Sequence, residues 1–321
     1  MHCVKNMNDY FTICVATYNS SKFILEALES IRQQTYPYLD LIISDDKSTD
    51  ETVSICKEWI EKNKSRFRNV SLVIADKNTG TAGNLNRGVR LCNTEWIKCM
   101  AGDDALYIDF ISDFMKKYAN SEHDVLLTDA GVFDSELNDD KLSYYLTPNS
   151  RFFSEDVENK QYKILLRRNF LGPSIISRKK IFDQVGGYDE KYPLIEDWPF
   201  LLKIAKQGNI IGMAPLLSTR YRLSDTSVRK KHSDLVTRFT LDQYNFEKDY
   251  IFSSLDFVGS LLSKRYFRRI LYYNSKNDGR PMSIYKKLWV IEKKIIDFLW
   301  TVCEYRYLRL GGMKMRSKPS I

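Results

Sequence analysis

The stretch Ile97-Lys98-Cys99-Met100-Ala101-Gly102-Asp103-Asp104-Ala105 is an apolar run that ends in two adjacent carboxylates. Two like charges side by side repel one another and favour protonation unless a cation holds them. At the mouth of a strand such a pair can seat a divalent cation, and Mg²⁺ is usually held by one or two carboxylates plus substrate phosphates. Asp-Asp pairs also occur in solvated turns, so the pair alone leaves both readings open. Asp45-Asp46 ends a second apolar run. Ser48 to Asp50 read as a helix start, whereas Asp45 can accept hydrogen bonds from the imide of a uracil-like base or from a ribose hydroxyl. Asn78-Thr79-Gly80-Thr81-Ala82-Gly83-Asn84 brings two glycines that allow close backbone approach to a ligand. A helix follows, whose first amides would face anionic oxygen. Glu196-Asp197-Trp198 opens another helix. Asp197 is either a helix cap or a general base taking a proton from a hydroxyl nucleophile, worth roughly 10²–10⁴ in rate.

Alternating strands and helices must position these residues. Phe11–Ala16, Leu39–Ile43, Val70–Ile74 and Glu95–Met100 are short apolar runs that read as strands, separated by segments of helical periodicity. Near-continuous apolar strands alternating with helices indicate a parallel sheet covered on both faces. Ligands bind such sheets beyond the carboxyl ends of the strands. Thr17-Tyr18-Asn19, Asp45-Asp46, Asn78-Thr79-Gly80 and Asp103-Asp104 all follow strands and are expected to converge on one edge. Ser21 is the expected cap of the first helix. Ser48 or Thr49 is expected to open the second, with Val53, Cys56 and Ile60 on its inner face. Further on, His123–Thr128 reads as a strand, 134–158 as a polar loop region, Ile164–Arg168 as helix, and Lys179–Val185 as a helix stopped by Gly186-Gly187.

Taken in order, Thr17-Tyr18-Asn19, Asp45 to Asp50, Asn78-x-Gly80, Asp103-Asp104, Gly186-Gly187-Tyr188-Asp189-Glu190 and Glu196-Asp197 resemble the family 2 glycosyltransferases, inverting enzymes of GT-A fold. The resemblance covers about residues 10–225. It implies an α/β fold, Rossmann-like, with a mostly parallel central sheet flanked by helices and a helical C-terminal extension. Residues 1–228 would form the catalytic domain, with a nucleotide-sugar half at about 10–105 and an acceptor half at about 106–228. Thr17, Tyr18, Asn19, Asp45, Asn78 and Gly80 would bind the nucleotide of a sugar nucleotide, most often UDP. Asp103 would reach ribose or metal, and Asp104 the Mn²⁺ or Mg²⁺ bridging the diphosphate. Arg222 would meet the diphosphate, or else end a solvated strand. Asp197 would be the base, with Glu196 and Trp198 supporting it or the acceptor. Two departures stand out. Ala101 occupies a place where the family often has a third carboxylate, and Leu85 the place of a basic residue, with Arg87 two positions on.

The chain has 321 residues and a net charge of +8, unevenly spread. Residues 229–321 carry 20 Lys and Arg against 9 Asp and Glu, so the first 228 residues carry −3. This basic, mainly helical region mixes cations with aromatic residues. It is expected to pack on the catalytic domain or on a second subunit as a homo-oligomer, or to lie on an anionic membrane surface. No nucleic-acid module is recognisable. No run approaches the ~20 apolar residues of a membrane span, and the start lacks a signal-peptide core; with Cys14, Cys92 and Cys99 in apolar segments a reducing compartment is expected, the cytoplasm or the inner face of the plasma membrane. The Gln-x-x-Arg-Trp signature of processive relatives is absent, which favours single-sugar addition. The expected reaction is metal-dependent transfer to a glycan or polyprenyl-diphosphate-linked acceptor in the synthesis of a bacterial surface polysaccharide such as O-antigen or capsule. The alternatives are a GDP- or dTDP-sugar transferase and a nucleotide-sugar-binding assembly partner without turnover. The presence of both Asp104 and Asp197 speaks against the last.

Overall fold

Four apolar runs do form four neighbouring parallel strands. In the computed structural model, which describes residues 9–148, 153, 160–166, 169–170, 172–223, 238–252 and 313–316, the elements alternate from the start. They are β1 (Phe11–Thr17), α1 (Ile24–Arg32), β2 (Leu39–Asp45), α2 (Thr52–Asn63), β3 (Asn69–Ile74), α3 (Gly80–Val89), β4 (Trp96–Ala101), β5 (Ala105–Leu106) and α4 (Phe110–Tyr118). Then follow β6 (Val125–Asp134), β7 (Leu142–Pro148), α5 (Lys160–Leu165), β8 (Ile175–Arg178), α6 (Lys179–Gln184), α7 (Asp197–Lys206), β9 (Ile211–Leu223), α8 (Arg238–Phe246) and β10 (Met313–Arg316).

The sheet runs in the order β10-β7-β6-β8-β4-β1-β2-β3. The half from β3 to β4 is parallel. The other half is mixed: β8 pairs antiparallel with β4 and β6, while β9 runs parallel to β6 and antiparallel to β5. Alternation along each strand divides the core between the two faces of the sheet. On β1, Phe11, Ile13 and Val15 pack with α1, α2 and α4, whereas Cys14 and Ala16 pack with α3, α6 and α7. Cys14, Cys56, Cys92 and Cys99 are free thiols, the first three buried.

Several local expectations are corrected. The first amides of α1 bond to the Ser20 carbonyl rather than to the Ser21 side chain. Helix α2 begins at Thr52, not at Ser48 or Thr49; Asp50, just ahead of it, accepts through Oδ1 from the Thr52 amide at 3.1 Å and from Thr52 Oγ1 at 2.5 Å. The buried residues of α2 are Thr52, Cys56 and Trp59; Ile60 packs half-buried against the same core as expected, and Val53 is half-buried. Part of the expected loop region 134–158 is strand, since β7 pairs with β6. Strand β9, thirteen residues long, was expected only at its end.

Beyond residue 228, α8 and the following wide helical turn (Glu247–Ile251) are helical and pack on the same core, with Phe246 fully buried against Tyr192 and Trp198. β10 extends the sheet beside β7. The other residues of 229–321 lie outside the described ones, and the expected helical, basic character of that region lies with them. Among the described residues, no helix is long and apolar enough to cross a membrane.

Candidate functional site

The strand-end loops converge on one edge and are tied to each other. The Asp46 amide donates to the Thr17 carbonyl at 2.9 Å, the Gly102 amide to Ala16, and Asn84 Nδ2 to Thr17 at 3.2 Å. Asn19 holds the neighbouring loop, its amide donating to Ser48 Oγ at 2.8 Å and its Oδ1 accepting from the Thr49 amide. Tyr18, Asn19, Lys47 and Asn78 are exposed along this rim. Tyr18 thus presents an aromatic face of the kind on which a base stacks.

Asp45, expected at the nucleoside, is fully buried. Its two oxygens accept from the Ser48 amide at 2.8 Å and from Ser48 Oγ at 2.5 Å, so it shapes the loop from beneath. Asp46, for which the sequence suggested no role, takes the amides expected to face phosphate. Its carboxylate accepts from the Thr79 and Gly80 amides and from Thr79 Oγ1, and the Ala82 amide donates to Pro193. The N-terminus of α3 therefore faces an internal anion. Arg87 adds to it, with Nη2 donating to Asp46 at 3.2 Å and to Thr79 Oγ1 at 2.8 Å. Gly80, at φ +80°, is required by the protein itself: a Cβ there would lie 2.5 Å from Pro193 Cβ.

The carboxylate pair lies beyond β4. Asp104 is 1% exposed; its Oδ1 accepts from the Arg222 amide at 3.0 Å, and its Oδ2 is buried with no partner. Thr17 Oγ1, at the end of adjacent β1, is likewise buried and unpartnered. Gly102 lies between these strand ends, where a Cβ would stand 3.1 Å from Thr17 Oγ1. Burial and the neighbouring Asp103 push the Asp104 carboxyl well up, and burial also raises Asp103. Buried polar atoms are normally hydrogen-bonded, so Thr17 Oγ1 and Asp104 Oδ2 retain capacity to accept. Among the described residues no group of three or more acidic, His or Cys side chains gathers to cage a cation. The donor set fits a Mn²⁺ or Mg²⁺ shared with phosphate oxygens, not a closed protein cage.

Arg222, expected at the diphosphate, faces the protein instead. It is 3% exposed, donates through Nε to the Asp103 carbonyl at 2.8 Å and through its terminal nitrogens to Ser135 and Glu26, and stacks on Phe23. It braces the loop that carries the pair.

Asp197 begins α7 and is 8% exposed. Asn169 Nδ2 donates to its Oδ1 at 3.0 Å, the Trp198 amide to the same oxygen at 2.8 Å, and the Gly172 amide to Oδ2 at 2.9 Å. Each carboxylate oxygen has two lone pairs, so capacity for a proton remains. Glu196 stands beside it, its Oε1 3.5 Å from a Cβ built at Gly172. Trp198 is support: its Nε1 donates to the Leu165 carbonyl at 2.6 Å, and its ring packs on Phe246. Asn169 and Gly172 were not anticipated, because nothing local in sequence announces a partner so far along the chain.

The family model of glycosyl transferase family 2 matches residues 12–186. A PGL/p-HBAD biosynthesis glycosyltransferase of Mycobacterium tuberculosis is 26% identical over 211 residues, 66% of this chain and 73% of that protein. Glycosyltransferase GlyG of Streptococcus pneumoniae is 26% identical over 142 residues, 44% of this chain and 45% of its own length. Among solved structures, S. aureus TarS 1-349 in complex with UDP-GlcNAc aligns with a TM-score of 0.56 at 20% identity, covering 84% of this chain and 74% of that one.

Proposed function

The chain belongs to glycosyl transferase family 2, and we propose that it transfers a single sugar, with inversion and with a divalent cation, from a UDP-sugar to an acceptor hydroxyl. The acceptor is a glycan or a polyprenyl-diphosphate-linked glycan in bacterial surface-polysaccharide synthesis. The observation that carries the reading is that two oxygens, Thr17 Oγ1 at the end of β1 and Asp104 Oδ2 in the loop after β4, are buried and unpartnered. UDP is the nucleotide in the TarS complex, and Tyr18 offers a stacking face for its base, with Asn19, Asn78 and the loop held by Asp45 forming the rim.

Asp103 and Asp104 would hold Mn²⁺ or Mg²⁺, which when bound supplies Lewis-acid neutralisation of charge on the departing diphosphate. The protein's own part is positional and acid–base. Asp197 takes the proton of the acceptor hydroxyl while that oxygen bonds to the anomeric carbon; the bond to phosphate oxygen breaks, and its electron pair leaves with UDP. Attack from the face opposite the leaving group inverts the centre. Asn169 and Gly172 fix the carboxylate for this step, and Glu196 borders it. Calorimetric titration of UDP, GDP and dTDP, each with and without Mn²⁺, tests the donor half. UDP should bind, roughly tenfold or more weakly without Mn²⁺ or in Asp104→Asn. Preference for GDP or dTDP would reassign the donor, and failure of all three to bind would overturn the reading.

The cationic excess of residues 229–321 fits a site at an anionic membrane surface, where a lipid-linked acceptor lies, at about 1 kcal/mol per basic residue near the headgroups. Co-sedimentation with phosphatidylserine vesicles should be lost when Lys286, Lys287, Lys293 and Lys294 are changed to Gln. Unchanged binding would remove the membrane from the account.

A further inference from the structure

Lys98 lies within β4, and no part of it is exposed. Its Nζ donates to the Pro173 carbonyl at 2.5 Å and stands 5.7 Å from the centre of the Phe110 ring. Burial pushes its pKa down to about 8, although Cys99 and Asp104 oppose the shift. A buried ammonium is expensive, and this carbonyl already has a neutral partner, Thr219 Oγ1 at 2.9 Å. Asp104 and Cys99 favour the ammonium from the strand's own side, but the group it bonds directly is the Pro173 carbonyl.

The carbonyl's place in the chain gives that bond its consequence. Pro173 sits in the short helical turn Gly172–Ser174. The residue before it, Gly172, donates its amide to Asp197 Oδ2 at 2.9 Å. Gly172 also packs so closely that a Cβ would lie 3.3 Å from Asp197 Cβ. On the other side of Pro173, the Ser174 carbonyl accepts from Thr128 Oγ1 at 2.9 Å. Lys98 reaches this turn from the strand that ends in the carboxylate pair. β9 spans the same two places, with Thr219 at the Pro173 carbonyl and the Arg222 amide at Asp104.

We propose that Lys98 is a positioning residue: its ammonium, through the Pro173 carbonyl, holds the Gly172 amide against Asp197 and so sets the carboxylate relative to the strand that carries Asp103 and Asp104. The inference rests on the reading of Asp197 as the base. It predicts that removing the ammonium separates turnover from donor binding, since a misplacement of about 1 Å can lower rate ~10²-fold.

The test uses the full chain with Lys98→Met and Lys98→Gln, reading three quantities. UDP affinity by calorimetry with Mn²⁺ should stay within about twofold of wild type. Release of UDP from UDP-GlcNAc, the donor probe, should fall ~10–100-fold in Lys98→Met, with the donor KM unchanged. Amide hydrogen exchange in the peptide containing Gly172 should quicken about tenfold while β1, β2 and β3 keep wild-type protection. Lys98→Gln, which removes the charge but keeps a neutral donor on the same strand position, should show the same pattern at smaller amplitude, and it carries the test if Lys98→Met does not fold. Wild-type protection at Gly172 in the variant that folds, or loss of protection throughout the sheet, overturns the proposal. Asp197→Asn separates the two readings. If it turns over as wild type, the base assignment falls, while exchange at Gly172 still decides the role of Lys98. If it is inactive and Lys98→Met is fully active, only the role of Lys98 falls.

Discussion

The proposed donor edge and the proposed base are built by different kinds of structure. At the donor edge, Thr17, Asp45 and Asp103-Asp104 stand at or just beyond the ends of β1, β2 and β4, three neighbouring parallel strands. Each residue is placed by the strand immediately before it. Asp197 is held from a distance: its side-chain partner and its loop-amide partner are 28 and 25 positions away in sequence. The helix that carries it is packed in turn by Phe246 of α8. The first region is a local consequence of a parallel sheet. The second exists only once distant segments have docked, so its chemistry and its stability should be easier to separate from donor binding.

The largest expected effect breaks the comparison at the base. Asp197→Asn should lower turnover about 10³-fold, within the range for a general base. UDP affinity should remain at the wild-type value, measured by initial rates and calorimetry on the same preparation. A parallel loss of UDP binding would mean that the two regions are one unit.

The next effect lies where the regions meet. Gly80→Ala should cost on the order of 2–4 kcal/mol in chemical denaturation, since its Cβ would strike Pro193 at 2.5 Å in a conformation that favours glycine. Gly186, at φ +75°, has nothing within 4 Å of a built Cβ. Gly186→Ala should therefore cost only about 1 kcal/mol. Equal costs would show that backbone conformation, and not the contact between α3 and the Pro193 loop, governs the junction.

A smaller effect concerns pH. Glu247, buried at the end of α8, has its pKa pushed up to about 7, chiefly by burial, with Gln243 donating to it at 2.8 Å. The folded protein thus binds this proton more tightly than the unfolded chain does. The associated stability is complete below the ordinary glutamate value and is lost as pH rises through about 7. Wild type should lose on the order of 1–3 kcal/mol relative to Glu247→Gln between pH 4.5 and 8, by denaturant titration at each pH. Parallel pH profiles for the two proteins would refute this assignment.

The contrast between the regions also explains what the sequence could show. Convergence of the Thr17, Asp46, Thr79 and Asp104 loops was readable, because apolar runs ending in polar residues define a sheet edge. The detailed contacts were not. Sequence alone singles out Asp45 over its neighbour Asp46, yet Asp45 closes on Ser48 and Asp46 occupies the start of α3. Arg222 was expected at phosphate and instead braces the Asp103 loop, because β9 is long enough to bring it beneath that loop. Lys98 reads as one polar residue in a strand until the 172–174 turn is seen to rest on it.

The most direct measurement of the whole account is nucleotide release from a panel of UDP-, GDP- and dTDP-sugars by the full chain with Mn²⁺, in water and with a panel of hydroxyl acceptors. The account predicts turnover of a UDP-sugar by wild type and its loss in Asp197→Asn. Binding of UDP with no turnover of any sugar nucleotide, or full activity without Asp197, would contradict it.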